Sequence, residues 1–128
     1  MVWVAISVAA CAANSPTGDP VRERAQLRWD SILSNDLDTA YSLYSPGYRS
    51  AHSRVDYEID LRTMRVKWTS AEYIDQECDA NRCLVNFRVG FRVHRPVPGL
   101  DVFDSKSIVQ ETWVKTRDEW WYVPPVKK

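Results

Sequence analysis

The stretch CLVNFRVGFRVH, residues 83–94, decides the fold. Its first, third and later odd residues are apolar, and those between them are mostly polar or charged. A period of two over so many residues predicts a strand with one buried face. Three further segments have strand character: 66–77, 102–115 and 120–123. Short polar or Pro/Gly-containing turns separate the four segments, so we expect successive hairpins and an antiparallel sheet.

The chain before this sheet has helical spacing. A first helix is predicted from Asp19-Pro20 to about Asn35, because proline is accepted in the first turn of a helix. Its apolar stripe is formed by Val21, Ala25, Trp29, Ile32 and Leu33. We place Arg28 on the opposite, charged side with Arg22, Glu23, Arg24 and Asp30.

Two shorter helices are expected before the sheet. The first runs from Leu37 to Tyr44 and is terminated by the segment 45–47, Ser-Pro-Gly. The next begins at Ser53, whose hydroxyl can cap free backbone N–H groups. Its apolar side is formed by Val55 and Ile59 together with Tyr57 or Leu61.

Size and composition indicate one globular domain. The chain has 128 residues, of which 45% are hydrophobic, and its 17 basic and 17 acidic residues give no net charge. Such a balance disfavours nucleic-acid binding. The predicted fold class is α+β, with N-terminal helices packed on a curved antiparallel sheet of four or more strands. We expect this domain to span residues 19–128.

Cys11 follows an apolar run and the small residues Ala9 and Ala10. The sequence Val8-Ala9-Ala10-Cys11 resembles the lipobox of bacterial lipoproteins, which implies that Cys11 is lipidated and becomes the first mature residue. Residues 1–10 are then all or the last part of a signal peptide, and 11–18 a lipidated tether. The protein would be anchored in the cell envelope, facing the periplasm. The alternative is a buried first strand with an incidental cysteine.

Cys78 and Cys83 bracket a polar turn of four residues, 79–82, between two predicted strands. Opposed positions on antiparallel strands lie within disulfide distance, so a bridge across this hairpin is predicted. A zinc site and two free buried thiols are the alternatives. A disulfide agrees with an oxidising compartment such as the periplasm.

Five segments resemble the nuclear-transport-factor-like superfamily: residues 28–30, 36–41, 45–49, 111–114 and 120–123. The resemblance implies a cone-shaped fold, the SnoaL and ketosteroid-isomerase-like cone or cystatin-like roll. More narrowly, the chain resembles small envelope lipoproteins of Gram-negative bacteria. The superfamily contains isomerases, dehydratases and cyclases as well as non-enzymatic modules, so the fold does not fix the function.

An isomerase-like site would need an inward carboxylate beside a tyrosine. The donor candidates are Tyr41, Tyr44, Tyr57 and Tyr73, and the base candidates are Asp36, Asp38, Asp56 and Asp60. We interpret these acids as helix caps or a solvated helix face, and His52 and His94 as exposed or structural. No catalytic residue, cofactor or metal site is therefore predicted.

Aromatic residues are the candidates for a cavity or an interface: Trp29, Tyr41, Tyr44, Tyr57, Trp68, Trp113, Trp120 and Trp121. Neighbouring strand residues face opposite ways, so Trp120 or Trp121 must point away from the core. The hypothesis is a non-enzymatic envelope lipoprotein that binds a small apolar ligand or docks an envelope protein partner, with a homodimer as one form. The alternative is a cavity enzyme of the isomerase or dehydratase type.

Overall fold

A computed structural model describes residues 19–126, and the predictions for Cys11, the signal peptide and the tether lie outside this range. Within it, helices in the first half pack on a four-stranded antiparallel sheet with the order β1-β2-β3-β4, which confirms the predicted α+β class. The helices are α1 (Pro20–Leu33), α2 (Leu37–Ser42), α3 (Pro46–Ala51) and α4 (Arg54–Thr63). The strands are β1 (Val66–Cys78), β2 (Arg82–Val97), β3 (Leu100–Thr116) and β4 (Glu119–Val123).

Helix α1 begins as the sequence predicts and ends two residues earlier. The carboxylate of Asp19 accepts a hydrogen bond from the backbone N–H of Val21 (3.1 Å), and Pro20 occupies the first turn. The helix stops at Leu33, because Asn35 has a left-handed backbone with a φ of 62° that cannot continue an α-helix.

The segment Ser-Pro-Gly at 45–47 starts a helix, whereas we expected it only to terminate one. The hydroxyl of Ser45 accepts a hydrogen bond from the backbone N–H of Tyr48 (3.2 Å), and Pro46 is the first residue of α3. Proline ends a preceding helix and is also well placed at the start of the next. The sequence therefore contains a stop and a start at one position.

The inward face of α4 differs in part from the prediction. Val55 and Ile59 are 62% and 52% exposed, while Tyr57 is buried and Leu61 packs against the core. Tyr57 and Leu61 are four residues apart, so they lie on one helix face. The larger ring of Tyr57 decides which face of this short helix turns inward.

All four predicted strands are present, and β2 and β3 are longer than expected. They extend to Val97 and Leu100, so the turn between them is reduced to Pro98 and Gly99, where Gly99 has a φ of 87°. The predicted buried face of β2 is fully buried only as far as Val89. Beyond it the β2–β3 hairpin extends into solvent, and Phe103 is 46% exposed.

The disulfide predicted between Cys78 and Cys83 is present, with the two Cα atoms 4.1 Å apart at the end of the β1–β2 hairpin. At the opposite edge of the sheet, β4 is bonded to the helical half. The backbone N–H of Tyr122 donates to the carbonyl of Leu43, and the N–H of Ser45 donates to the carbonyl of Tyr122 (both 2.9 Å). No helix among residues 19–126 is long and apolar enough to cross a membrane.

Candidate functional site

A cavity of about 330 Å³ lies between α1, α4 and the inner face of the sheet, and it is partly open to solvent. Six aromatic rings line it: Trp29, Tyr44, Tyr48, Tyr57, Trp68 and Tyr122. The aliphatic lining is Ile32, Leu61, Met64 and Val109, and the charged residues are Arg28, Asp60 and Glu111. A concave, mostly apolar site with a few polar groups is the usual form of a small-molecule site.

A buried ion pair forms the inner wall of this cavity. The guanidinium Nη1 of Arg28 in α1 donates to Oε2 of Glu111 in β3 at 2.9 Å, and the two residues are only 6% and 2% exposed. The indole N–H of Trp29 donates to the same oxygen at 2.8 Å, and that of Trp113 donates to Oε1 at 3.3 Å. The Glu111 carboxylate thus accepts three hydrogen bonds, as buried carboxylates require.

Aromatic side chains hold the guanidinium of Arg28 on its other sides. It lies 3.7 Å from the ring centre of Tyr122, and its Nη2 donates to the hydroxyl of Tyr44 at 3.0 Å. Burial alone would lower the pKa of Arg28, but the oxygens of Tyr44, Glu111 and Tyr122 outweigh it and the pKa is raised. The group is therefore a permanent cation.

Tyr57 carries an unused hydrogen-bonding group in the cavity wall. The residue is 3% exposed, and its hydroxyl is buried without a hydrogen-bond partner among residues 19–126. Burial, and then the nearby phenol of Tyr44, raise the pKa of Tyr57 well above its usual range. A buried hydroxyl without a partner costs about 1–3 kcal/mol, so a ligand or a water that reached it would be stabilising.

A second, outer cavity of about 370 Å³ adjoins the first and shares Tyr44, Tyr48 and Asp60 with it. The ring of His52 stacks on that of Tyr48, with ring centres 4.4 Å apart and planes 22° apart. The opposite wall is the segment 124–126, Pro-Pro-Val. The two cavities meet at the three residues that they share, and the first cavity is itself partly open to solvent.

Half of the predicted aromatic candidates line the inner cavity: Trp29, Tyr44, Tyr57 and Trp68. The others lie elsewhere. Trp113 is fully buried on the inner face of the sheet. The hydroxyl of Tyr41 donates to the backbone carbonyl of His52 at 2.5 Å. Trp120 packs against the edge of the core, and the ring of Trp121 faces the guanidinium groups of Arg24 and Arg49 at 5.0 and 5.2 Å.

Of the acidic candidates, only Asp60 lines the cavities. Asp36 caps α2, and hydrogen bonds from Thr39 lower the pKa of its carboxyl group. Asp38 pairs with Arg54 at 2.6 Å, and Asp56 is exposed in the first turn of α4. Within residues 19–126, no three His, Cys, Asp or Glu side chains are grouped as a metal site requires.

The prediction of Arg28 on the charged side of α1 is wrong, and the burial of Glu111 was not predicted. Arg28 follows Val21 and Ala25 by seven and three residues, which places it on the apolar face of α1 despite its charge. Glu111 is two residues away from both Val109 and Trp113 in β3, so the three side chains lie on the same, inner face of the sheet. The sequence did contain a signal for a buried pair: a cation and an anion each occupy a position where the periodicity of the helix or strand predicts an apolar residue.

No protein-family model matches the sequence, and no curated protein matches it. Solved structures do match. A SEC-C motif-containing protein of Rhodopseudomonas palustris has a TM-score of 0.57 at 13% identity, over 76% of this chain and 70% of its own. A SEC-C motif-containing protein of Psychrobacter arcticus has a TM-score of 0.60 at 13% identity, and the match covers 86% of this chain but only 62% of that protein.

A proposed dehydratase of the NTF2-like family from Streptomyces avermitilis is also similar, with a TM-score of 0.55 and 12% identity. The match covers 80% of this chain and 89% of that protein. Identities this low show a shared fold and leave the function to the site. The architecture described above is therefore consistent with an NTF2-like cone.

Proposed function

We propose that this domain binds a small, largely apolar molecule in the inner cavity. The observation that carries the proposal is that six aromatic rings line a cavity of about 330 Å³. A wall of this kind offers a large apolar contact area at low cost in side-chain entropy. The polar groups at its inner end are fixed by contacts with one another, so the shape of the cavity is set before a ligand enters.

Binding is favoured over catalysis at Glu111, the buried carboxylate of the wall; the other one, Asp60, is exposed to solvent. A general base must be free to accept a proton from its substrate. Glu111 already accepts hydrogen bonds from Arg28, Trp29 and Trp113. Loss of any of these donors would leave a buried charge poorly solvated, so Glu111 acts as a structural anion here.

The cavity can be tested with an environment-sensitive apolar dye, since Trp29 and Trp68 in its wall also serve as intrinsic fluorescence reporters. Leu61→Trp fills the cavity from α4 and should weaken dye binding at least tenfold. Val55→Trp is the matched control, because the same ring is added to an exposed position of the same helix. Equal dye affinity in the two variants would place the dye outside the cavity and contradict the proposal.

We further propose that the domain works at a membrane of the cell envelope, held by a lipid on Cys11. The motif Val8-Ala9-Ala10-Cys11 supports the anchor, and the bridge between Cys78 and Cys83 suits an oxidising compartment. Metabolic labelling with an alkyne fatty acid in a Gram-negative host should tag the full chain and leave Cys11→Ser untagged. Equal labelling of both chains, or none of either, would refute the anchor.

A further inference from the structure

We propose that the ligand of this cavity carries a protonated amine, which lies beside Asp60 while the apolar body of the ligand fills the inner cavity. This inference rests on the binding function proposed above and adds the chemical class of the ligand. It follows from the charges of the cavity wall, the position of Asp60 between the two cavities and the ion pairs of the surrounding helix.

The wall of the inner cavity has an unbalanced negative charge. Its charged side chains are Arg28, Glu111 and Asp60. Arg28 and Glu111 neutralise each other through a direct ion pair at 2.9 Å. Asp60 has no Lys, Arg or His partner within ion-pair distance among residues 19–126. The wall as a whole therefore favours a ligand with one positive charge.

Helix α4 has cations of its own, and they are engaged elsewhere. Arg54 binds the carboxylates of Asp38 at 2.6 Å and Glu58 at 3.3 Å. Arg62 binds Glu58 at 2.8 Å. Both arginines thus have acidic partners, and neither is among the residues that line the two cavities with Asp60. Asp60, which lines both cavities, is left without a cation.

The tyrosine next to Asp60 leaves that carboxylate as the only charged group where the two cavities meet within the described residues. Tyr48 lines both cavities with Asp60, and its ring lies 4.6 Å from that of Tyr44 and 4.4 Å from that of His52. Burial raises the pKa of Tyr48 to about 12, so the phenol is neutral at physiological pH and adds no charge beside Asp60. The rings of Tyr44 and His52 cover its two faces, so the attraction for an ammonium group comes from the Asp60 carboxylate.

The position of Asp60 also fits a ligand with two unlike ends. Asp60 is exposed and belongs to both cavities, so it lies where the inner, apolar space meets the outer one. An ammonium group placed there keeps part of its hydration, while an alkyl or aromatic body extends towards Trp29 and Trp68. This arrangement avoids the cost of burying a charge completely.

Three probes of equal length test the inference on the full chain: octylamine, octan-1-ol and octanoate. A partly exposed ion pair contributes up to about 1 kcal/mol, or roughly a fivefold preference. We therefore expect octylamine to bind about fivefold more tightly than octanol, and octanoate to bind weakest. Tryptophan fluorescence or calorimetry gives the three affinities.

Asp60→Asn should abolish the preference for the amine, so that octylamine and octanol bind this variant with equal affinity. Asp56→Asn is the control, since Asp56 is an exposed carboxylate of the same helix that lines neither cavity, and it should keep the preference. If octylamine and octanol bind the unaltered chain equally, or if Asp60→Asn keeps the preference, the ligand class is wrong while the binding function stands. If no probe binds the unaltered chain, both proposals fail.

Discussion

Removing one partner of the buried ion pair should destabilise the protein far more than removing both. In Arg28→Met, the Glu111 carboxylate keeps its two indole donors and loses its only cation. Both residues are almost wholly buried. Breaking such a pair typically costs about 3–5 kcal/mol, because the remaining charge is left in a medium of low polarity.

Glu111→Gln leaves the guanidinium of Arg28 buried without its anion and should cost about 3 kcal/mol, the lower end of that range, because an amide oxygen can still accept the hydrogen bond from Trp29. The double variant contains neither charge and keeps that acceptor. Its loss of stability should be about 1–3 kcal/mol, well below the sum of the two single losses. With a loss of about 3 kcal/mol or more in each single variant, the coupling energy is at least about 3 kcal/mol.

Urea unfolding followed by tryptophan fluorescence measures all four proteins. Where a single variant is too unstable to fold, recovery of folding in the double variant reports the same coupling. A total stability of about 5–15 kcal/mol is usual for a domain, so the larger single loss is a substantial part of it. Additive losses, or a loss below about 1 kcal/mol for Arg28→Met, would show that the carboxylate is not held by its cation.

Four further variants test the wall of the cavity and the hairpin. Tyr57→Phe removes a hydroxyl without a partner and should leave the unfolding free energy unchanged or raise it. Tyr44→Phe removes the acceptor of a buried guanidinium and should cost about 1–3 kcal/mol in the same unfolding assay. The reverse order of the two losses would contradict the hydrogen-bond assignment. Burial raises the pKa of Tyr122 to about 12, above its unfolded value of about 10. The stability that the neutral phenol of Tyr122 contributes is fully present below a pH of about 10 and is lost as the pH rises towards about 12. The free energy of unfolding should therefore fall over this range, and it should fall less steeply in Tyr122→Phe. Replacing Cys78 and Cys83 together by Ala opens a short loop and should cost about 2 kcal/mol; no loss would show that the bridge does not constrain the unfolded chain.

Much of the fold follows from local patterns in the sequence. The alternation over residues 83–94 identifies β2, and the turn flanked by Cys78 and Cys83 fixes its partner and the register of the hairpin. Pro20 identifies the start of α1 in the same way. These signals involve neighbours in the chain, so they need no knowledge of the tertiary structure.

The last hairpin shows where local rules fall short. Arg117 and Asp118 both have positive φ, at 53° and 64°, although a two-residue turn of this kind usually contains glycine. The pairing of Thr116 with Glu119 closes the turn tightly. Tertiary contacts of β4 with the helical half maintain a backbone that the local sequence does not favour.

The cavity could be predicted only in part, because its lining comes from segments that are far apart in the chain. Aromatic residues near 29, 44, 57 and 68 are visible as apolar positions, and all four line the cavity. The pairing of Arg28 with Glu111 joins residues 83 positions apart. The charge of Arg28 on the apolar face of α1 is evident in the sequence. Its partner, Glu111, is identified only from the packing of α1 against the sheet.

The buried pair also offers a way to separate stability from function. Well-packed apolar residues often replace such pairs at little cost, so stability alone does not explain Arg28 and Glu111. Arg28 lies against Tyr122 and bonds Tyr44, and both of these rings line the cavity. If the double variant folds stably but binds the apolar dye at least fivefold more weakly, the pair serves to hold the rings in place. If it binds the dye as well as the unaltered chain, the rings are positioned by packing alone, and the ion pair has no part in shaping the site.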